Sequence, residues 1–189
     1  ILGHSSAEIA AEKAGIIKSG CPVITAAEGV PETVIRERAA QNRSPYFRVQ
    51  DIVKVFVTEK AESRQSFSYE GLNHHWDNLV IHLPGRHQVA NATLSLLTLE
   101  VLEKQNQLDI CTNSVKDGLS QTVWPGRMEL VSDKPRVLLD AAHNREASIQ
   151  LLNAMNDYFT YDKLYLIIGI FADKDVSAVV SPLARHATH

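Results

Sequence analysis

Arg127, Asp140, His143 and Asn144 fall within one short stretch, WPGRMELVSDKPRVLLDAAHN at residues 124–144, and their types suit the binding of a nucleotide. A guanidinium offers paired hydrogen bonds to phosphate oxygens, a carboxylate accepts from ribose hydroxyls, and an imidazole can approach phosphate. Pro125 and Gly126 break whatever precedes them, which puts Arg127 at the mouth of a hinge. Val137, Leu138 and Leu139 form a continuous apolar run that suits a parallel strand buried on both faces. Asp140 is then expected at the carboxyl end of that strand, where open α/β sheets hold their ligands. A helix is expected just after Asn144, with Ile149, Leu151, Leu152 and Met155 as its apolar stripe and N-terminal amides that favour an anion. The plainer reading makes Asp140 and Asn144 turn and capping residues only, and Arg127 a solvated charge.

Positioning such a site is the task of the surrounding elements. Residues 7–18 read as a helix closed by Ser19 and Gly20, and 21–25 as a short buried strand. Pro31 opens a second helix through about residue 41, with Glu32 favourable near its start. Residues 47–57 and 66–83 alternate apolar and polar side chains, which reads as a small, mainly antiparallel sheet. Helices are expected at 89–104 and 114–121. Beyond the hinge come a strand at 137–139, a helix at 147–159, a strand at 164–168, a loop at 169–175 and a final helix. That βαβα order argues for a parallel, doubly wound sheet and for a boundary near residue 124, giving domains 1–124 and 125–189.

Three blocks of the chain resemble the folylpolyglutamate synthase and dihydrofolate synthase family, ATP-dependent ligases of the Mur ligase superfamily. Residues 124–147 resemble its W-P-G-R-x-E block followed by a strand and D-x-A-H-N. LGHSSAEIAAEKAGIIKSGCPVI at 2–24 resembles L-G-x-T-x-x-x-I-A-x-E-K-A-G-I-x-K, and LPGRHQVANA at 83–92 resembles L-x-G-x-H-Q-x-x-N-A. Ser5 departs from the family's usual threonine but keeps the hydroxyl, and Ala141 stands where glycine is frequent. The resemblance implies an α/β chain: part of a Mur-ligase-type central ATPase domain with a small antiparallel sheet, followed by a Rossmann-like C-terminal domain.

The same resemblance implies ATP and Mg²⁺ as cofactors. It also implies dihydropteroate or a folate, together with L-glutamate, as substrates, and a cytoplasmic monomer. Arg127 and His143 would hold phosphate, Asp140 the ribose, and Asn91 the adenine through the donor and acceptor of its amide. Lys13 would be carboxylated to a carbamate that binds the metal. This requires a neutral amine, favoured by burial or nearby positive charge. Taken by itself, Lys13 reads as a surface ion-pair partner of Glu8 or Glu12, and Asn91 as a first-turn capping group. His87 and Gln88 read as structural, GIFADKD at 169–175 as a solvated loop in which Lys174 resembles the family's loop lysine, and His74, His75 and His82 as surface histidines.

With 44% hydrophobic residues and a net charge of −3, the composition is that of an ordinary globular protein, with no basic excess to imply nucleic acid and no window suited to a membrane span. Two cysteines, Cys21 and Cys111, lack metal spacing and point to reduced thiols. The chain starts at Ile1 and holds no G-x-x-x-x-G-K-[ST] loop, so it is expected to be an internal piece whose phosphate loop lies upstream and which does not catalyse alone. Two other readings stay open: a sister Mur ligase acting on a peptidoglycan precursor, and a non-catalytic nucleotide-binding or interaction fragment.

Overall fold

A computed structural model describes residues 5–171 and 174–188. Helix α1 (Ser6–Ala14) begins where Ser5 leaves helical geometry and its Oγ accepts from Glu8 N at 3.2 Å. It stops at Ala14, short of residue 18. Gly15 and the β-branched Ile16 and Ile17 favour helix weakly, and the carbonyls that follow are claimed from elsewhere: Asn42 Nδ2 donates to Ile17 O at 2.7 Å and Ser44 Oγ to Lys18 O at 2.9 Å. Strand β1 (Val23–Thr25), helix α2 (Gly29–Gln41) and strand β2 (Tyr46–Arg48) form a βαβ unit, with Val23 paired to Tyr46 and Thr25 to Arg48 in parallel. α1 packs on α2, and the buried residues of the pair are Ala10, Ala14 and Ala39, small enough to let two helices approach closely. Phe47, expected in an antiparallel sheet, thus belongs to a parallel pair, and the one-turn helix α3 (Val49–Ile52) follows it.

The antiparallel sheet begins after that turn. Strands β3 (Lys54–Ala61), β4 (Arg64–Glu70) and β5 (His75–Ile81) lie in sequence order, and links this short require antiparallel neighbours. Next come α4 (Arg86–Lys104), α5 (Thr112–Ser120), the antiparallel pair β6 (Glu129–Asp133) and β7 (Arg136–Leu139), then α6 (Arg145–Tyr158) and α7 (Val176–Ala184). The architecture is α/β with small antiparallel sheets.

The chain divides into two compact units. One takes residues up to 56, 68–77 and 90–115; the second takes 57–67, 78–89 and 116 onward. Tyr69, Trp76, Leu96, Leu97 and Val101 are buried in the first. Glu100 is also fully buried there, and its carboxylate accepts from Tyr69 Oη and from the amides of Leu72, Asn73 and His74 at 3.0, 2.9 and 2.8 Å. A buried carboxylate persists only with its lone pairs filled in this way. In the second unit, Met128, Ala154, Met155 and Tyr158 form a core cluster, with Leu138, Leu151, Phe159 and Leu164 packed against it.

Two strands depart from expectation. β7 pairs antiparallel with β6, and Val137 and Leu139 are 43% and 52% exposed, so the run is not a parallel strand buried on both faces. The hairpin turn at Lys134-Pro135 brings two consecutive segments together, which satisfies their backbone locally. Residues 164–168 form no strand. No ladder partner lies beside them among the described residues, Ile167 is 97% exposed, and Leu164 is tied instead to Thr188 through bonds of 2.7 and 3.1 Å. The parallel βαβα sheet is therefore absent from the described residues after 125, where α6 packs on α7 instead. Among the described residues no helix is long and apolar enough to cross a membrane.

Candidate functional site

The turn bearing Arg127 is fixed by its neighbours on both sides. Gly126 and Met128 both have positive φ, 72° and 47°, and Arg127 N closes the turn on Trp124 O at 3.2 Å. Glycine takes that geometry without penalty, whereas for Met128 it costs about 1 kcal/mol. Burial of its side chain in the α6 cluster offsets this, as does a bond from Met128 N to Asp140 Oδ2 at 3.0 Å. A further bond, Ala141 N to Gly126 O at 2.9 Å, fastens the turn to residues 140–142, and Ala142 N donates to Asp140 Oδ1 at 2.8 Å, which holds the carboxylate in place. Gly126 N is held by Glu129 Oε2 at 2.8 Å. Arg127 rides this frame half-buried, and its guanidinium makes no hydrogen bond or ion pair among the described residues.

Asp140 follows the last residue of β7 directly. Each of its oxygens accepts one backbone N–H, so it braces the turn as the plainer reading required. Each also keeps a lone pair with which to accept from a ligand hydroxyl. Asn144 caps α6, its Oδ1 accepting from Ala147 N at 2.8 Å and its carbonyl from Ser148 N at 3.0 Å. The amides of Arg145 and Glu146 find no acceptor among the described residues. They face outward at the positive end of the helix dipole. Arg145 is exposed in that first turn, where its charge opposes the dipole. His143 is exposed too, with Nδ1 placed 3.0 Å from Ala141 O. That bond makes Nδ1 the protonated nitrogen and leaves Nε2 to carry a lone pair or, in the imidazolium, a second donor. An unpaired guanidinium, free first-turn amides and a nearby imidazole form a set that fits a phosphate.

His87, read from the sequence as structural, shares electrostatics with this group. Burial pushes its imidazole pKa below the ordinary value; Asp140 opposes that shift and Arg127 adds to it, which places both charges within electrostatic reach of the ring. Its Nδ1 is buried without a partner among the described residues. Sequence spacing carries no signal for this, because His87 lies far from residues 127–140 along the chain.

The remaining candidates lie in the first unit or outside the group. Lys13 sits exposed in the last turn of α1, so its own surroundings among the described residues do not supply the burial that favours a neutral amine. Asn91 is exposed in the second turn of α4, since that helix starts at Arg86; the first-turn capping reading does not hold. His74 is no simple surface histidine. It is half-buried, stacked on Trp76 with ring centroids 4.6 Å apart, and its Nε2 lies 2.7 Å from Glu103 Oε2. His75 and His82 are exposed, near Asp77 and Ser63 O respectively. Among the described residues no group of three or more His, Cys, Asp or Glu side chains is placed to hold a metal ion. Of the loop at 169–175, Ala172 and Asp173 lie outside the described residues, and Lys174 is exposed.

Residues 126–189 match the family described as Mur ligase, glutamate ligase domain. Over all of this chain and 45% of its own length, the dihydrofolate synthase/folylpolyglutamate synthase of Bacillus subtilis is 36% identical. The folylpolyglutamate synthase of Lacticaseibacillus casei is 33% identical over 97% of this chain and 43% of its own. A solved structure titled FPGS-AMPPCP-folate complex superposes with a TM-score of 0.92 and 30% identity, covering all of this chain and 46% of that one. The Mycobacterium tuberculosis folylpolyglutamate synthase, solved with ADP and AMPPCP, gives 0.89 at 25% identity over 99% of this chain and 43% of that one. The chain thus spans a little under half the length of the curated relatives it matches.

Proposed function

We propose that this chain, related along its whole length to the folylpolyglutamate and dihydrofolate synthases, forms the nucleotide-holding part of an ATP-dependent ligase that adds L-glutamate to dihydropteroate, to the γ-glutamyl end of folates, or to both. The observation that carries this reading is the Arg127 guanidinium, held unpaired on a doubly fastened turn in the same unit as Asp140 and the open first turn of α6. The similarity to relatives solved with ATP analogues supports it.

In this proposal ATP phosphorylates a carboxylate of the pterin substrate. The amine of glutamate then attacks the acyl phosphate, and phosphate leaves the tetrahedral intermediate as the amide forms. The chain's own contribution is electrostatic and positional. Arg127 donates to phosphate oxygens, whose negative charge also favours the α6 amides. Asp140 accepts from a ribose hydroxyl with the lone pairs left by Met128 N and Ala142 N. His143 contacts phosphate only as the imidazolium, since Nδ1 is engaged with Ala141 O. In the first unit, Asn91 is assigned to adenine and Lys13, as a carbamate, to Mg²⁺. One carbamate is a single donor, and the described residues add no cluster to it, so no chemical step here rests on the metal. The division near residue 124, a monomeric state and a cytoplasmic setting belong to the same proposal.

The test is a substrate screen on the intact protein, following ADP release with ATP, glutamate and either dihydropteroate or a folate. Glutamate-dependent ADP release with a pterin is the expected result. Release only with a peptidoglycan precursor would move the protein to a sister ligase, and release with neither would leave a nucleotide-binding module.

A further inference from the structure

His87 carries a buried nitrogen without a partner among the described residues. That nitrogen is Nδ1, and the ring lies so close to Gly85 that a Cβ there would stand 2.5 Å from His87 Cε1 and 2.8 Å from Nδ1. Gly85 permits this because it has no Cβ and adopts a φ of 109°. The backbone beneath is rigidly held. Gln65, fully buried, donates to Leu83 O at 2.6 Å and Gly85 O at 2.9 Å, and its own oxygen accepts from Tyr158 Oη. The imidazole is therefore pressed against a fixed wall with its inner nitrogen unpaired, an arrangement that a leucine at position 87 would achieve without leaving a polar atom unsatisfied.

The tautomer follows from the same geometry. A proton on Nδ1 would make it an orphaned buried donor, rarer in proteins than an unfilled acceptor, so the proton belongs on Nε2. Burial also disfavours the imidazolium, and Arg127 reinforces this while Asp140 opposes it. His87 thus offers a neutral N–H donor beside a cation and a carboxylate that both remain able to bind ligand.

We propose that His87 is a further ligand-contacting side chain of the Arg127 and Asp140 site, donating through Nε2–H to an oxygen of the sugar-phosphate portion of the nucleotide. The inference rests on the nucleotide reading of that site. It assigns His87 a contact in which a neutral donor reads an oxygen without adding charge beside Arg127.

The experiment titrates the intact protein with AMPPCP and records thermal stability for each variant. His87→Leu is expected to weaken binding roughly tenfold, the worth of one hydrogen bond, with a melting temperature equal to or above the wild type. His87→Gln, whose amide nitrogen overlays Nε2, restores affinity to within roughly threefold of wild type, whereas His87→Asn, whose amide overlays Nδ1, does not. This contrast between two amides of equal polarity holds even if the leucine variant folds poorly. Wild-type affinity in His87→Leu alongside loss in Arg127→Ala and Asp140→Asn overturns the inference and leaves the nucleotide site standing. Equal losses in Gln and Asn variants that track their melting temperatures reduce His87 to a structural residue. Wild-type affinity in Arg127→Ala removes the nucleotide reading and this inference with it.

Discussion

Glu100 and His87 both carry buried polar atoms, and the chain treats them in opposite ways. Four donors converge on the Glu100 carboxylate, three of them successive backbone amides of the turn at 72–74. His87 Nδ1 receives none, and Arg127 nearby makes no bond among the described residues. A saturated buried ion holds a loop in place, while unsaturated groups arranged on a rigid frame hold capacity in reserve for a ligand. On the proposed reading, hydrogen-bond satisfaction separates the polar residues that serve folding from those that serve binding.

The sharpest way to break that contrast is at Arg127. In the intact protein Arg127→Ala should lower ligation by about a thousandfold or more, the scale on which loss of a positioned cation acts on phosphoryl transfer, and leave the urea midpoint unchanged. Turnover like that of the wild type would make Arg127 a surface charge. Glu100→Ala should do the converse. Stripped of their acceptor, the buried Tyr69 Oη and three part-buried amides lose their partner, and stability should fall by about 3 kcal/mol in denaturant titration. A loss below about 1 kcal/mol would show that the turn at 71–74 does not depend on the carboxylate.

Smaller effects sharpen the comparison within the binding region itself. Asn144→Ala removes the α6 cap and should cost about 1 kcal/mol of stability, together with weaker phosphate binding as the first turn frays. An unchanged melting temperature would contradict that role. The smallest expected effect concerns His87 and pH. Its folded pKa lies below the ordinary value of 6.5, because burial and Arg127 outweigh Asp140. The unfolded chain therefore takes up the proton first, and the stability present above 6.5 is lost as pH falls from there through the folded value. Melting curves from about pH 7.5 to about pH 5 should show this loss in the wild type and a flatter limb in His87→Leu. Parallel limbs would place the titrating group elsewhere.

Local signals in the sequence were readable where one residue acts on its near neighbours. Asn144 caps α6 as its position before an apolar stripe implied, and Asp140 does end a strand. What pairs with that strand was hidden. ELVSD at 129–133 mixes apolar and polar residues without a strong period, so it does not announce β6, and the apolar run 137–139 taken alone suits a strand of a parallel sheet. The run at 164–168 has strand-like residues but no neighbour among the described residues to complete a ladder. The start of α4 shows why the site was only half legible. Its start at Arg86 turns Asn91 into a second-turn residue, and the packing of His87 against Gly85 depends on Gln65 and Tyr158, residues remote in sequence. An unsatisfied nitrogen is a property of packing and leaves no pattern along the chain. The same holds for His74, whose stacking on Trp76 no spacing of histidines announces.

The most direct test of the central claim is the structure of the intact protein crystallised with AMPPCP. The account predicts phosphate oxygens within hydrogen-bond distance of the Arg127 guanidinium and the first-turn amides of α6, with a ribose hydroxyl on Asp140. A nucleotide seated elsewhere, with Arg127 and those amides facing solvent, would contradict it.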